Sequence, residues 1–225
     1  LVQLKLSTDR GVILDLATLS ILTKLTSLSV CANKGIENFH IWTILRSLVK
    51  LKIYGINNQL RASELTMTSL TRLSSLKVSG NHLPDIDLTN VTRLLLLKYN
   101  QPLEHKARKI IGLATLTNLT LLHSTSSLNF TQLAGLTWLQ SLKLNAMQFD
   151  CGFSVLTNLQ RLTSLTGDSI MSGKQLTLLT RLQVLRFIAS EGSDNIRKNL
   201  QKKLSYCYNL TYQYFDNDED YIDDE

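Results

Sequence analysis

Proline and cysteine are both scarce in this chain. Two prolines and ten glycines among 225 residues leave no collagen-like, proline-rich or glycine-rich linker to draw. The three cysteines, Cys31, Cys151 and Cys207, lie far apart, and none sits at a metal-ligand spacing with another or with the four histidines. That argues against a disulfide framework and against a metal centre. No apolar run reaches the roughly 18 residues of a membrane helix, and no charged-then-apolar leader opens the sequence. The expectation is a water-soluble chain without membrane insertion. Leu1 falls inside a repeat, so a signal peptide or further repeats are possible upstream.

What the chain does have is repetition. The pattern L-x-x-L-x-L, with conservative replacements, recurs with its central leucine at Leu4, Leu28, Leu51, Leu76, Leu97, Leu122, Leu142, Leu162, Leu185 and Leu210. The register around Leu162 is open, because Leu165 serves equally well. Upstream of each centre apolar residues return every third position, as in Leu19, Leu22, Leu25 and Leu28, or Leu133, Leu136, Leu139 and Leu142. A period of three suits a tight turn or 3₁₀ segment feeding a short strand and fits neither a long amphipathic helix nor a hairpin. One such coil cannot close its own core, so neighbouring coils must stack and bury the leucines between them. Ten coils are expected, in one array without an internal boundary.

Leu116-Thr117-Asn118-Leu119, Leu136-Thr137-Trp138-Leu139 and Leu156-Thr157-Asn158-Leu159 resemble the L-T-x-L units of leucine-rich repeats of the internalin and phosphatase-regulatory type. The resemblance covers nearly the whole chain. It implies an α/β leucine-rich-repeat solenoid: a curved right-handed superhelix of about ten coils, with a parallel sheet on the concave face and short 3₁₀ or helical turns on the convex face. It also implies an asparagine five residues after each central leucine, tying adjacent coils together. That position reads Asp9, Asn33, Asn81, Ser127 and Ser190 in five coils but Ile56, Pro102, Met147, Gly167 and Phe215 in the others, with Asn57, Asn100 and Asn145 close enough to substitute. Secreted solenoids of this type often carry cysteine-rich caps, so their absence points to a cytoplasmic location. Four N-x-S/T sequons, at Asn90, Asn118, Asn129 and Asn209, point instead to a secreted or cell-surface protein, although such triplets arise by chance in a chain rich in Leu, Thr and Asn.

The C-terminal end differs in kind. Ser193 or Asp194 caps an expected helix through Ile196, Leu200 and Leu204, and Tyr206 to Phe215 reads as a last aromatic strand. Together they would cover the final cross-section of the solenoid, giving a 1–215 domain. Residues 216–225 hold Asp216, Asp218, Glu219, Asp220, Asp223, Asp224 and Glu225 with no basic residue, a self-repelling tail expected to be disordered.

Enzyme motifs are missing. The segment from Gly167 to Gln175 departs from a phosphate-binding loop in spacing and in its last residue, and reads as a turn. His40, His82, His105 and His123 fall in different coils without a Cys or Ser partner. No catalytic residue, metal or cofactor is expected, and no enzymatic activity.

The columns facing the concavity carry the functional signal. In each strand the residues one before, one after and three after the central leucine point to the open face. The one-after column reads Lys5, Ser29, Lys52, Lys77, Lys98, His123, Lys143, Thr163, Arg186 and Thr211. Lys50 and Arg161 join from the one-before column, giving eight basic residues and no Asp or Glu in thirty positions, where composition alone would place about three and two. Leu96, Leu121, Leu165, Val184 and Ile188 add apolar contacts on the same face. The expected function is a protein-interaction scaffold binding a partner with an acidic surface through Lys5, Lys52, Tyr54, Lys77, Lys98, His123, Lys143 and Arg186. The acidic tail is a possible intramolecular competitor for the same stripe. Alternatives are an extracellular recognition domain and a nucleic-acid-binding module. The last ranks lowest, since basic and aromatic residues do not interleave as a stacking platform requires.

Overall fold

A computed structural model of the chain describes residues 1–8, 13–32, 36–55, 64–81, 83–100, 109–124, 130–144, 158–167, 181–188 and 209–213. Ten strands lie side by side in chain order in one sheet: Gln3–Thr8, Ser27–Ala32, Lys50–Tyr54, Ser75–Ser79, Leu96–Asn100, Leu121–Ser124, Ser141–Leu144, Ser164–Gly167, Val184–Ile188 and Asn209–Gln213. Every pairing is parallel, as winding in one direction requires. The fold is a parallel β-solenoid with 3₁₀ turns.

The period of three in the sequence has a direct backbone cause. Leu19 N–H donates to the Leu16 carbonyl, Leu22 to Leu19 and Leu25 to Leu22, each at 2.9 Å. The same chain of bonds runs from Met67 through Leu70 to Leu73 and from Leu113 through Leu116 to Leu119. Each apolar residue therefore opens and closes a three-residue turn, which brings successive side chains back to one side. Leu25, Leu28, Leu48, Leu51, Leu73, Leu76, Leu94 and Leu97 are all buried in the single hydrophobic core. In the strand that follows the period changes to two: Ser27–Ala32 alternates half-buried and buried along its length.

Central leucines pair across the sheet, Leu28 with Leu51, Leu76 with Leu97 and Leu122 with Leu142. One centre moves. Leu165, not Leu162, pairs with Leu142 on one side and Leu185 on the other. Leu162 is the buried leucine one turn earlier, its N–H bonded to the Leu159 carbonyl at 3.0 Å.

The returning side of the coils holds short strands that the sequence patterning does not reveal. Leu14–Asp15 pairs with Ile36–Glu37, and Asp85–Asp87 lies between Glu64–Thr66 and Ile110–Ile111. Aspartates anchor them. Asp15 Oδ1 accepts the Ala17 N–H at 2.8 Å and Asn38 Nδ2 of the next coil at 2.6 Å, and Asp87 Oδ1 accepts the Thr89 N–H at 2.8 Å. A carboxylate bonding the amide two residues on is a local turn that starts the return. The two bonds hold the Asp15 carboxyl below the usual carboxylate range.

Among the described residues no α-helix occurs, so strands and 3₁₀ segments stand where helical turns were the alternative. Asn81 is exposed instead of buried between coils, and the Asn100 side-chain oxygen is buried without a hydrogen-bond partner. Neither forms the expected asparagine tie. With Leu165 as the centre, the corresponding position in that coil passes from Gly167, which ends a strand, to Ile170. Ile170 and the other tie positions, together with Asn57, Asn145, the expected helix at 193–204 and the tail at 216–225, lie outside the described residues.

Candidate functional site

The one-after column forms a continuous row. Lys5 pairs with Ser29, Ser29 with Lys52, Lys52 with Lys77, Lys77 with Lys98, Lys98 with His123 and His123 with Lys143. Lys143 is next to Thr166, Thr166 to Arg186 and Arg186 to Thr211. Thr166 thus replaces Thr163. Adjacent strands stand ~4.8 Å apart, so Lys52, Lys77 and Lys98 make three ammonium-bearing positions in direct succession.

Lys5, Lys52, Lys143 and Arg186 are exposed, whereas Lys77, Lys98 and His123 are half-buried. Burial, followed by repulsion from Lys98 and Lys52, holds the Lys77 ammonium below the usual lysine pKa. Among the described residues no carboxylate lies within ion-pair distance of this row. His123 feels the same field more strongly. Burial first, then the Lys143 and Lys98 charges, push its pKa down to about 4. It is therefore neutral at pH 7, so the row is cationic on both sides of an uncharged imidazole.

Two unpartnered polar atoms lie close to this point. His123 Nε2 and Asn100 Oδ1 are buried and lack hydrogen-bond partners, although a buried polar atom without a partner costs about 1–3 kcal/mol. Asn100 lies two residues beyond Lys98 on the neighbouring strand. The sequence places His123 in the concave column, but nothing in the spacing signals an orphaned ring. Tyr54 is half-buried, in register with Cys31, a free thiol. Burial, then that thiol, raises its phenol pKa, so the hydroxyl stays protonated and able to donate.

Besides Thr163, two residues assigned to this face belong elsewhere. Arg161 leaves with the register shift and lies in the turn before its strand, with its guanidinium carbon 3.4 Å above the centre of the Trp138 ring. Leu165 is a buried centre and not an apolar surface residue. Ser164 takes the one-before position and Asp168 the three-after position, the latter outside the described residues. Of the other apolar positions, Leu96, Leu121 and Val184 are half-buried on the open face, with Leu96 and Leu121 adjacent in register. The side chain of Ile188 lies outside what the structure describes. Lys50 is exposed one position before its centre.

Among the described residues no group of three or more His, Cys, Asp or Glu side chains is placed to hold a metal ion, and no helix is long and apolar enough to cross a membrane. The face carries cations, hydroxyls and half-buried leucines.

No family model and no curated protein matches the chain. Solved structures do. The internalin InlF of Listeria monocytogenes matches over 79% of this chain and 58% of its own at 23% identity, with a TM-score of 0.53. The internalin C2 of the same organism matches over 81% and 80% at 18% identity, with a TM-score of 0.58. The chain thus spans just over half the length of InlF. What it shares with the Listeria internalins is the fold, a leucine-rich-repeat solenoid built on a parallel sheet.

Proposed function

We propose that this chain is a non-enzymatic protein-interaction scaffold, a curved right-handed array of about ten coils whose concave sheet binds a protein partner with an acidic surface. The internalin-like fold supports a binding role. The observation that carries the acidic partner is the register of Lys52, Lys77 and Lys98 on three consecutive strands with, among the described residues, no carboxylate in ion-pair distance. Like charges so placed repel one another, and a ligand that supplies carboxylates relieves that cost. Tyr54 supplies a hydroxyl beside the ammonium groups, and Leu96 and Leu121 an apolar footing. We place the protein in the cytoplasm. The alternative of extracellular recognition draws on Asn90 and Asn118, two sequon asparagines that are exposed.

The test is fluorescence anisotropy with a labelled oligoglutamate peptide against the wild type and K52E/K77E/K98E. The wild type should bind at low salt and the variant should lose most of that affinity, with the thermal unfolding midpoint showing that the variant remains folded. Equal binding by both proteins removes the lysine row as the site.

A further inference from the structure

We infer that the acidic partner is gripped along a second line of cations, an arginine rim on the turns that lead into the sheet, so that it runs along the solenoid axis across many coils. This rests on the acidic-partner reading above. The rim is the position four residues before each central leucine, in the turn closed by the L-T-R-L type unit. In Leu70-Thr71-Arg72-Leu73 the Leu73 N–H bonds to the Leu70 carbonyl at 3.0 Å, which turns Thr71 and Arg72 outward. In successive coils the rim position holds Lys24, Ser47, Arg72, Arg93, Asn118, Trp138, Arg161 and Arg181, all exposed except Ser47, whose neighbour Arg46 is exposed.

Charge is segregated to an extent that composition does not explain. In the eight repeats centred on Leu28 to Leu185, the seven residues from five before the centre to one after it hold twelve of the 24 Lys and Arg and no Asp or Glu. Those positions are a quarter of the chain, so even mixing would put about six basic and four or five acidic residues there. The described acidic residues, Asp15, Glu37, Glu64, Asp85 and Asp87, all lie in the short returning strands. Asp15, Asp85 and Asp87 are bonded there to backbone amides. Among the described residues no acidic side chain thus lies on the rim.

The Trp138–Arg161 contact measures the reach along the rim. These two residues occupy the same rim position in consecutive coils, and their side chains stack at 3.4 Å. Arg72 and Arg93 stand in the same relation to each other one coil apart, with no carboxylate between them. Two guanidinium groups so placed match carboxylates on an extended acidic segment, each fork able to take two oxygens. The stack also disfavours a single-stranded nucleic acid. Trp138 already gives one ring face to Arg161, and among the described residues the rim presents no other aromatic on which bases could stack.

The experiment uses the full chain and oligoglutamate peptides of about four and about twelve residues, whose extended lengths cover about three and about eight coils. Binding is measured for the wild type, R72E/R93E and K77E/K98E, with oligothymidine as a competing probe. The long peptide should bind at least about tenfold more tightly than the short one, and R72E/R93E should lose about three- to tenfold of the long peptide's affinity at low salt. R72Q/R93Q, which removes charge without adding repulsion, should show a smaller loss and keeps the readout if charge reversal unfolds the protein. Unchanged binding by both rim variants with a loss in K77E/K98E overturns the rim and leaves the lysine row standing. Unchanged binding in every variant overturns both readings. Oligothymidine binding more tightly than the long peptide, and lost in R72E/R93E, makes the rim a nucleic-acid surface and overturns the acidic-protein occupant.

Discussion

At the second position after its central leucine, Tyr99 fills a place taken by Val30, Ile53 and Val78 in the preceding coils, and it is fully buried. Its hydroxyl donates to the Pro84 carbonyl at 2.6 Å, which is what allows a polar group at that depth. Tyr99→Phe should cost about 1–2 kcal/mol in denaturant unfolding, because the buried carbonyl loses that donor. Trp42 is the converse case, fully buried with its indole N–H unpartnered. Trp42→Phe should stay within about 1 kcal/mol of the wild type, whereas Trp42→Ala should lose about 3–5 kcal/mol. His123 makes stability depend on pH. Its folded pKa of about 4 lies below the ordinary value of 6.5, so the unfolded chain takes up a proton first as pH falls. The stabilisation is complete above about pH 6.5 and is lost as pH falls through about 4. That shift sets a ceiling of about 3 kcal/mol, which solvent contact reduces to roughly 1–2 kcal/mol. His123→Gln should flatten this part of the stability profile, and an unchanged slope would show that other groups set it.

Within a coil the unit of structure is the three-residue turn, and here the sequence is both most legible and most ambiguous. The run of leucines at every third position identifies the turns, because each carries one backbone bond and one buried side chain. The same regularity hides the register where a coil has one triplet to spare. Leu156-Thr157-Asn158-Leu159 matches the L-T-x-L units ending at Leu119 and Leu139, which would make Leu162 the centre. The strand pairing puts the equivalent unit one triplet later, at Leu159-Gln160-Arg161-Leu162. Both leucines are buried, so Leu162→Ala and Leu165→Ala should each cost about 2–5 kcal/mol, as should Leu76→Ala. The short returning strands were not legible, since strands of two or three residues leave no period to detect. Gly112 is a further local requirement. Its φ is +78°, and a Cβ there would meet the Thr89 backbone nitrogen at 2.6 Å. Gly112→Ala should therefore destabilise by more than about 1 kcal/mol through both strain and collision.

Across the whole molecule the succession of parallel strands and the row of residues after the central leucines could be read from the sequence, because parallel stacking in register turns a column in the sequence into a line in space. The rim was missed for a related reason. Arg72, Arg93, Arg161 and Arg181 are as regular as the lysines, but they lie in turns, where strand alternation says nothing about direction. Arg161 even entered the wrong column through the shifted centre. An extended electrostatic surface has a consequence at this scale: raising salt from about 0.05 to about 0.3 M should weaken acidic-peptide binding many-fold, as exposed charges become screened beyond ~10 Å. Affinity independent of salt would mean that apolar contacts at Leu96 and Leu121 carry the binding instead.

The most direct test of the central claim is the location of the bound anion, read by lysine acetylation and mass spectrometry with and without the long oligoglutamate peptide. Lys109 lies exposed beside the short returning strand Ile110–Ile111, away from the ten-stranded sheet, and serves as the internal reference. The account predicts that the peptide slows acetylation of Lys52, Lys77 and Lys98 several-fold while Lys109 is unchanged. Equal protection of Lys109, or none at the three row lysines under conditions where the peptide is bound, would contradict it.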